Sequence, residues 1–183
     1  MARVRAGDRV LVNGAGGGSG SFAIQLAKRA GAHVTGVDTA AKLGFMAAVG
    51  ADEVIDHLRE DFTRHFATYD RVLDLVARRS ASDCRRALAP GGVYQCVGGS
   101  TRALLEVLTL GPALGRLSGR RVGVLGVREG PAHFASLAAM CVDGEVRVHI
   151  DRIFPLEEVP QALAHVGEGR ALGKVVVVAE PPS

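Results

Sequence analysis

Aromatic residues and cysteine are scarce in this sequence, and each shortage narrows what the chain can be. Aromatic residues make up 4% of the 183 residues and tryptophan is absent, so a buried core must consist mainly of Val, Leu, Ala and Ile. That composition favours a layered α/β fold over an aromatic-rich sandwich or barrel. The three cysteines, Cys84, Cys96 and Cys141, are far apart, and no C-x-x-C spacing occurs. Neither a disulfide framework nor a zinc site is therefore predicted.

Long apolar runs and clustered positive charge are also missing. No window of about 20 apolar residues that would span a bilayer occurs, and the N-terminus lacks the charged-then-apolar pattern of a signal peptide. The net charge is +3, and the basic residues, only three of them Lys, do not cluster with aromatic side chains. We therefore expect a cytoplasmic protein that binds neither a membrane nor nucleic acid.

Strand-like and helix-like segments alternate along the first 149 residues. The strand-like segments are continuous apolar runs, which is typical of strands covered on both faces. The sequence therefore predicts an α/β fold, with a doubly wound, mostly parallel sheet and helices on both faces. The predicted strands are Arg9–Asn13, His33–Val37, Glu53–Ile55, Asp70–Val76, Val93–Val97 and Arg121–Val127. The predicted helices are Ser21–Ala30, Ala40–Val49, Ser80–Leu88 and His133–Val142. Between the last two strands lies an apolar stretch, Leu104–Leu117, which we expect to be broken at Gly111-Pro112.

The pattern changes after residue 149. We predict a strand at Asp151–Leu156, an amphipathic helix at Glu157–Val166 and a strongly apolar strand at Gly173–Ala179. The chain is therefore divided into a domain at 1–149 and a strand–helix–strand tail at 150–183. The four consecutive valines, Val175–Val178, need a partner, because a bare apolar edge invites pairing. Three partners are open: the segment Ile150–Phe154, the same strand of a second copy, or a separate polypeptide.

A glycine-rich turn, GAGGGSG at 14–20, joins the first predicted strand to the first helix. A dinucleotide-binding turn must leave its strand sharply, let its backbone approach a pyrophosphate, and pack its helix closely on the sheet. Gly17 and Gly18 suit the first two requirements, and Gly20 suits the third. The amides of Gly18 and Ser19 open the helix, where free N–H groups and the helix dipole favour a phosphate.

Asp38 supports the same interpretation, because it ends the next strand eighteen positions after Gly20. At that spacing a carboxylate accepts both hydroxyls of an adenosine ribose. The carboxylate repels a 2′-phosphate, so NAD(H) is favoured as the cofactor. Thr39 and Lys42 offer a hydroxyl and an ammonium that suit such a phosphate, which keeps NADP(H) open. The competing interpretation is a structural glycine turn followed by a helix-capping Asp38.

Signatures of other chemistries are absent or isolated. No G-x-S-x-G elbow occurs, and Asp74, an acid within an apolar run, does not make an acid–base pair by itself. A methyltransferase of the same doubly wound class also uses a glycine turn and an acid after its second strand. That class usually has an acid within its first motif and a reversed strand at the end of its sheet. No metal spacing occurs among the histidines, which are expected mostly at the surface: His33, His57, His65, His133, His149 and His165.

Longer segments resemble the medium-chain dehydrogenase/reductase superfamily, and within it the zinc-independent, quinone oxidoreductase-like branch. They run in order over nearly the whole chain: GDRVLVNGAGGGSGSFAIQLAKRAGAHVTGV, GADEVIDHLREDF, YDRVLDLV, LAPGGVYQCVGG and IDRIFPLEEVPQALAHVGEGRALGKVVV. Members combine a GroES-like domain, which supplies most of the substrate site, with a Rossmann domain that holds NAD(P)(H). The resemblance implies such a Rossmann domain, in an oxidoreductase that transfers hydride between nicotinamide and a small carbonyl or conjugated substrate.

The resemblance also implies which residues contact the cofactor. The glycine turn would hold the pyrophosphate, and Asp38 the adenosine ribose. The segment after the fourth strand would line the adenine and ribose side, and the segment after the fifth would flank the nicotinamide ribose. Lys174 matches a position that often approaches the cofactor, with a solvated lysine before a strand as the alternative. The predicted cofactor contacts are Gly17, Gly18, Ser19, Gly20, Asp38, Lys42, Val76, Ala77, Val97, Gly98 and Lys174.

The family's substrate-contacting and zinc-ligand residues fall in segments without a counterpart in this sequence. No catalytic residue and no metal ligand are therefore predicted, and the substrate stays unknown. A non-catalytic dinucleotide-binding module, or the cofactor domain excised from a longer reductase, is the alternative to an enzyme. The family commonly dimerises by pairing the sixth strand, here Arg121–Val127. A separate chain that supplies the missing domain is the other predicted partner.

Overall fold

The computed structural model describes residues 4–126 and 130–179, which alternate strands with helices. The strands are β1 (Arg9–Asn13), β2 (His33–Asp38), β3 (Glu53–Asp56), β4 (Tyr69–Asp74), β5 (Leu88–Cys96), β6 (Arg121–Val124), β7 (Ile150–Pro155) and β8 (Lys174–Val178). The α-helices are α1 (Gly18–Arg29), α2 (Leu43–Ala48), α3 (Ala81–Ala87), α4 (Thr101–Ser118), α5 (Pro131–Val142) and α6 (Val159–Gly167). Single 3₁₀ turns lie at Ala40–Lys42, Phe62–Arg64 and Leu156–Glu158.

The first six strands form one parallel sheet in the order β3-β2-β1-β4-β5-β6. The chain winds outward from β1 to β3, then returns to the other side of β1 and winds outward again. This order confirms the doubly wound fold. It also opens a crevice where β1 and β4 adjoin, because the connections that leave them turn to opposite sides. The parallel pairing of β6 argues against the methyltransferase alternative, which needs a reversed strand at that end.

The sheet buries an apolar layer on each face. Val10 and Val12 point to the face covered by α1 and α2, whereas Leu11 points to the face covered by α3 and α4. Successive side chains of a strand alternate between faces, and here both faces are covered. Burial of a side chain such as Leu11 contributes about 2 kcal/mol. Double coverage therefore explains why the strands are continuous apolar runs in the sequence.

Helix α1 begins earlier than the sequence predicts. The apolar pattern placed its first residue at Ser21, but the helix starts at Gly18 with Gly17 as its N-cap, as the expectation that the Gly18 and Ser19 amides open the helix requires. The start at Ser21 was wrong because glycine has a low helix propensity, which placed three glycine-rich positions in the turn. The early start puts the N–H groups of Gly18 and Ser19 into the first helical turn.

Helix α4 is continuous where the sequence predicts a break at Gly111-Pro112. A Cβ on Gly111 would lie 2.9 Å from the Val122 carbonyl oxygen, and one on Gly115 would lie 2.7 Å from that of Arg120. The two glycines thus let α4 pack closely on β6, and this contact outweighs the cost of about 3 kcal/mol for a helical proline. Neither α4 nor any other helix within residues 4–126 and 130–179 has the length and apolarity needed to cross a membrane.

The ends of β5 and β6 also differ from the prediction. Strand β5 starts at Leu88 and includes Pro90-Gly91-Gly92, which we expected as a turn. Its pairing with β4 shifts register between Tyr69 and Arg71, so the irregular segment is accommodated inside the ladder. Strand β6 ends at Val124, and the predicted end at Val127 lies outside the described residues.

The C-terminal segment forms a second, two-stranded sheet. Strand β8 pairs in parallel with β7, and α6 connects them. The valine strand therefore has its partner within the chain, the first of the three alternatives. Nε2 of His165 lies 2.6 Å from Oδ2 of Asp151 and joins α6 to β7. His165 is buried, so it departs from the surface position expected for most histidines.

Asp52 and three similar aspartates predict how stability depends on pH. Partial burial opposes ionisation, but hydrogen bonds and nearby cations outweigh it, so the pKa values of Asp52, Asp61, Asp70 and Asp151 lie below the ordinary 3.8. A lowered folded-state pKa contributes stability that is complete above the unfolded pKa and is lost as pH falls through the folded one. We expect the free energy of unfolding, measured by urea titration, to decrease below about pH 4.

Asp52→Asn is the variant that tests this expectation. It removes a carboxylate that accepts hydrogen bonds from the Lys28 ammonium at 2.7 Å and from the Val34 N–H at 2.7 Å. The variant should be less stable than the unmodified protein above about pH 4, where the Asp52 contribution is complete, and its loss of stability below that pH should be shallower, so that the two proteins converge in acid. An acid limb identical to that of the unmodified protein would contradict the assignment.

Candidate functional site

The glycine turn leaves β1 after Asn13 and enters α1 at Gly18. Gly14 has a φ of +84°, a left-handed conformation that favours glycine. A Cβ on Gly20 would lie 2.3 Å from the Gly14 carbonyl oxygen and 2.5 Å from Cα of Ala15. The helix and the turn therefore approach each other through bare backbone, as the motif requires, and no larger residue fits at position 20.

The first turn of α1 offers backbone donors. The N–H of Ser21 bonds the Gly17 carbonyl at 3.0 Å and begins the helical ladder, so earlier amides have no partner inside the helix. No acidic residue lies in this turn. The aligned peptide dipoles leave partial positive charge at this end. Gly18, Ser19 and Gly20 thus present N–H groups suited to an anion.

Lys174 brings a full positive charge to the same point. Gly173 forms a parallel bridge with Gly17, and its N–H donates to the Gly16 carbonyl at 3.2 Å. A Cβ on Gly18 would lie 3.2 Å from Nζ of Lys174, so the ammonium lies against the first residue of α1. The ammonium and the helix N-terminus both carry positive charge and repel each other. An anion bound between them would be attracted to both and would offset this repulsion. The side chain is half-buried, unlike a fully solvated lysine.

Asp38 lies beside the turn at the end of β2. Its Oδ2 accepts from the Gly16 N–H at 3.0 Å, and its Oδ1 accepts from the Thr39 N–H at 2.9 Å. Nζ of Lys42 is 3.7 Å from Oδ1, and the side chains of both Asp38 and Lys42 are largely buried. The carboxylate thus has a fixed orientation and a paired cation.

These features meet in one cleft of about 990 Å³, at the upper end of the range typical of small-molecule sites. Its lining includes the glycine turn, the ends of β2 and β4, the segment after β3, the segment between α6 and β8, and the start of β8. Among the predicted contacts the lining includes Gly17, Gly18, Ser19, Gly20, Asp38, Lys42, Val76 and Lys174.

The other three predicted cofactor contacts do not line this cleft. Ala77 lines an adjoining cleft of about 770 Å³, whereas Val97 and Gly98 lie outside the lining of both clefts. Sequence reasoning did not single out Arg78 and Arg79, which line both. The signal for them was available, since two consecutive arginines follow the predicted fourth strand after one intervening residue, Ala77.

Asp74 is the other residue whose importance was missed. It is fully buried at the end of β4, where we noted only an isolated acid in an apolar run. Its carboxylate accepts hydrogen bonds from the Asn13 amide, the Tyr94 hydroxyl and two backbone N–H groups. Burial raises the pKa of the Tyr94 hydroxyl, and the neighbouring Cys84 and Asp74 raise it further, so Tyr94 is a stable donor.

A doubly wound parallel sheet with a glycine turn, a cationic helix N-terminus and an acid after β2 in one cleft defines the class of dinucleotide-binding α/β proteins. Comparison with known proteins gives the family. Residues 49–177 match the family described as zinc-binding dehydrogenase. The chain belongs to this family and is a cofactor-binding domain of the medium-chain dehydrogenase/reductase superfamily, which confirms the predicted resemblance.

Three relatives illustrate the match. The chain is 34% identical to the mitochondrial NAD(P)H oxidoreductase RTN4IP1 of Mus musculus, over 93% of this chain and 48% of the relative. It is 30% identical to the trans-enoyl reductase pgmF of Aspergillus terreus, over 94% of this chain and 52% of the relative. The solved quinone oxidoreductase from Coxiella burnetii superposes with a TM-score of 0.83 at 29% identity, over 97% and 54%. The chain thus spans about half the length of the relatives it matches.

The family's description implies zinc, but the described residues do not fit that metal. Within residues 4–126 and 130–179, no three His, Cys, Asp or Glu side chains converge to hold an ion. Burial raises the pKa of the Cys84 and Cys96 thiols, and the Asp74 carboxylate raises it further. Zinc binds thiolates, so these two cysteines are poor ligands.

Proposed function

We propose that this chain binds NAD(P)(H) in the main cleft and is the cofactor domain of an oxidoreductase of the quinone or enoyl reductase type. The observation that carries the proposal is the meeting of the α1 N-terminus with Lys174, in the same cleft as Asp38. When bound, the cofactor supplies or accepts a hydride at its nicotinamide, exchanged with a small carbonyl or conjugated substrate.

The pyrophosphate would bind between α1 and β8. The N–H groups of Gly18 and Ser19 would donate to its oxygens, with the absent Cβ of Gly17 and Gly18 allowing close approach. The Lys174 ammonium would neutralise part of its charge. These contacts orient the cofactor and do not depend on which substrate is used.

The adenosine ribose would bind at Asp38. A carboxylate has about four acceptor positions, and Gly16 and Thr39 use two, which leaves two for the ribose hydroxyls. NAD(H) is favoured over NADP(H), because a 2′-phosphate would meet the Asp38 charge while Lys42 is already paired with it.

The nicotinamide half would extend from the turn towards the ends of β4 and β5. Val76 and Ala77 would contact the adenine and ribose side, and Val97 and Gly98 would flank the nicotinamide ribose. The apolar side chain of Val76 lines the cleft and would help to exclude water from the bound cofactor. No acid–base role is assigned to a residue of this chain.

A non-catalytic dinucleotide-binding module, or a cofactor domain excised from a longer reductase, is the second candidate. It is favoured by the coverage of about half of each relative. The two candidates share the cofactor site and differ in turnover. Oxidation of NADH by a quinone or conjugated enone, followed as loss of NADH absorbance, distinguishes them.

The proposed partners and compartment follow from the same family. Strand β6 is an edge of the six-stranded sheet, so two copies would pair there, with a separate chain supplying the substrate domain as the alternative. Light scattering measures which assembly forms. The three free cysteines suit a reducing compartment, and cytoplasmic placement stays a prediction beside the mitochondrial relative from mouse.

Calorimetric titration tests the proposed cofactor. The purified chain is titrated with NADH and with NADPH, with S-adenosylmethionine as the control ligand. We expect saturable binding of NADH, weaker binding of NADPH and no binding of the control. If neither dinucleotide binds, the proposed function is wrong for this chain.

Lys174→Met is expected to weaken NADH binding by about 10-fold, equivalent to about 1.4 kcal/mol. Methionine keeps an unbranched side chain beside Phe22, over which the Lys174 ammonium lies at 5.4 Å, but removes the charge. The dependence of Kd on salt should also become shallower. The matched control is Lys28→Met, which removes a lysine outside the cleft, paired with Asp52. Equal affinities of the two variants would contradict a role for Lys174.

A further inference from the structure

We propose that Asp74 is the positioning residue of this site, because its single carboxylate fixes the spacing of the three segments over which the dinucleotide lies. The inference rests on the proposed dinucleotide binding. No contact between Asp74 and the cofactor is invoked, since the carboxylate is completely buried.

Four donors converge on this carboxylate. Oδ1 accepts from Nδ2 of Asn13 at 2.8 Å, from the Val76 N–H at 3.0 Å and from the Ala77 N–H at 2.7 Å. Oδ2 accepts from the Tyr94 hydroxyl at 2.9 Å. A buried carboxylate is tolerated only when donors of this kind satisfy it, so all four partners are held firmly.

The donors come from three different parts of the sheet. Asn13 is the last residue of β1, directly before the glycine turn, and Val76 and Ala77 follow β4. Tyr94 lies in β5, whose end carries the predicted nicotinamide contacts. Strands β1 and β4 adjoin where the winding of the sheet reverses, which is where ligands of such folds bind. Asp74 therefore connects the segments that border the cofactor crevice.

Ala77 shows why the connection affects geometry. Its φ is +46°, a left-handed conformation that costs a non-glycine residue about 1 kcal/mol or more. The hydrogen bond of 2.7 Å to Asp74 holds the backbone in this conformation. A Cβ on Gly99 would lie 2.6 Å from Cβ of Ala77, so the segment after β5 packs directly on this residue. A shift of Ala77 would therefore move both bordering segments.

Asp74→Asn separates positioning from general stability. The side chain keeps its shape, but a neutral amide oxygen is a weaker acceptor than a carboxylate, by roughly half. We expect the NADH Kd to rise about 10-fold at a temperature where circular dichroism shows the variant fully folded. Hydrogen exchange at the Val76 and Ala77 amides should become faster. Tyr94→Phe removes only the Oδ2 bond to β5, so the Kd should rise by a smaller factor than in Asp74→Asn, with exchange at the Val76 and Ala77 amides unchanged. The control is Asp52→Asn, which removes a carboxylate outside the cleft and should leave the Kd within about 2-fold of the unmodified value.

Two further variants extend the test, and the second of them, Asn13→Ala, keeps the inference testable if Asp74→Asn does not fold. Ala77→Gly in the Asp74→Asn background should recover part of the lost affinity, because glycine adopts the left-handed conformation without the Cβ penalty. Asn13→Ala should raise the Kd and also accelerate exchange at Val76 and Ala77, which the loss of a direct contact from Asn13 would not do. Unchanged NADH affinity in folded Asp74→Asn, or unchanged exchange in Asn13→Ala, would overturn the inference. Failure of the unmodified chain to bind NADH would instead overturn the proposed function.

Discussion

A Gly20→Ala variant is expected to lose dinucleotide binding together with a large part of its folding stability. The added Cβ would lie 2.3 Å from the Gly14 carbonyl oxygen and 2.5 Å from both Cα and O of Ala15. These are backbone atoms of a turn anchored on β1, so relief requires α1 to move away from the sheet. Overpacking of this kind costs typically 1–3 kcal/mol, and we expect about 3 kcal/mol or more here.

The Gly20→Ala variant should also bind NADH more weakly, because the same movement of α1 displaces the phosphate-binding amides. Movement of α1 carries the N–H groups of Gly18 and Ser19 away from the phosphate position, so the NADH Kd should rise by more than about 100-fold. Urea unfolding and calorimetric titration measure the two effects. Gly44→Ala is the matched control, because a Cβ at this position in α2 meets nothing within 4 Å. It should gain about 0.5–1 kcal/mol and bind NADH normally. Similar behaviour of the two variants would refute the close-packing role of Gly20.

Asp38→Asn is expected to reverse the preference between NADH and NADPH. Asparagine still accepts from the Gly16 N–H, but its hydrogen bonds to the ribose hydroxyls lose the contribution of charge, about 1 kcal/mol each. The same change removes the repulsion of a 2′-phosphate and leaves the Lys42 ammonium, now 3.7 Å from Oδ1, without its partner. The ratio of the two Kd values should therefore change by about 100-fold in favour of NADPH.

Asp52→Asn provides the control for this experiment. Asp52 also accepts from a backbone N–H and pairs with a lysine, but it lies outside the cleft. Its replacement should leave both dinucleotide affinities unchanged. If Asp38→Asn still prefers NADH as strongly as the unmodified chain, Asp38 does not determine the cofactor.

Local pattern was sufficient to predict most of the fold. The run Val10–Val12 is apolar at every position because its neighbours alternate between two covered faces, and that pattern is visible in the sequence. The sequence pattern gave wrong helix boundaries where a contact with another part of the fold outweighs the low helix propensity of glycine. Gly18 and Gly111 lie in helices because absence of a side chain permits close approach, to β8 and β6 respectively. The contact partner of Gly18 is distant in the sequence, and that of Gly111 lies in the next strand, outside the helical pattern itself.

The site was predictable to the extent that it is built from one contiguous motif. The glycine turn and Asp38 are linked by a strand of fixed length, so their spacing alone indicates a dinucleotide. The role of Asp74 depends on partners that are distant in the sequence, Asn13 and Tyr94, and no periodicity relates them. Val97 and Gly98 were assigned by resemblance to the family and remain predictions, since both lie beyond the described clefts.

The bridge between Gly17 and Gly173 joins segments that leave the ribosome at very different times. A nascent chain can assemble β1–β6 once these six strands have emerged, before β8 is made. Its phosphate-binding turn, in contrast, acquires the ammonium of Lys174 only after almost the whole segment has been synthesised. Because such long-range contacts form late, affinity for a dinucleotide would report that translation has passed β8. A product released earlier would retain the sheet, yet its glycine turn would bind phosphate with backbone groups alone.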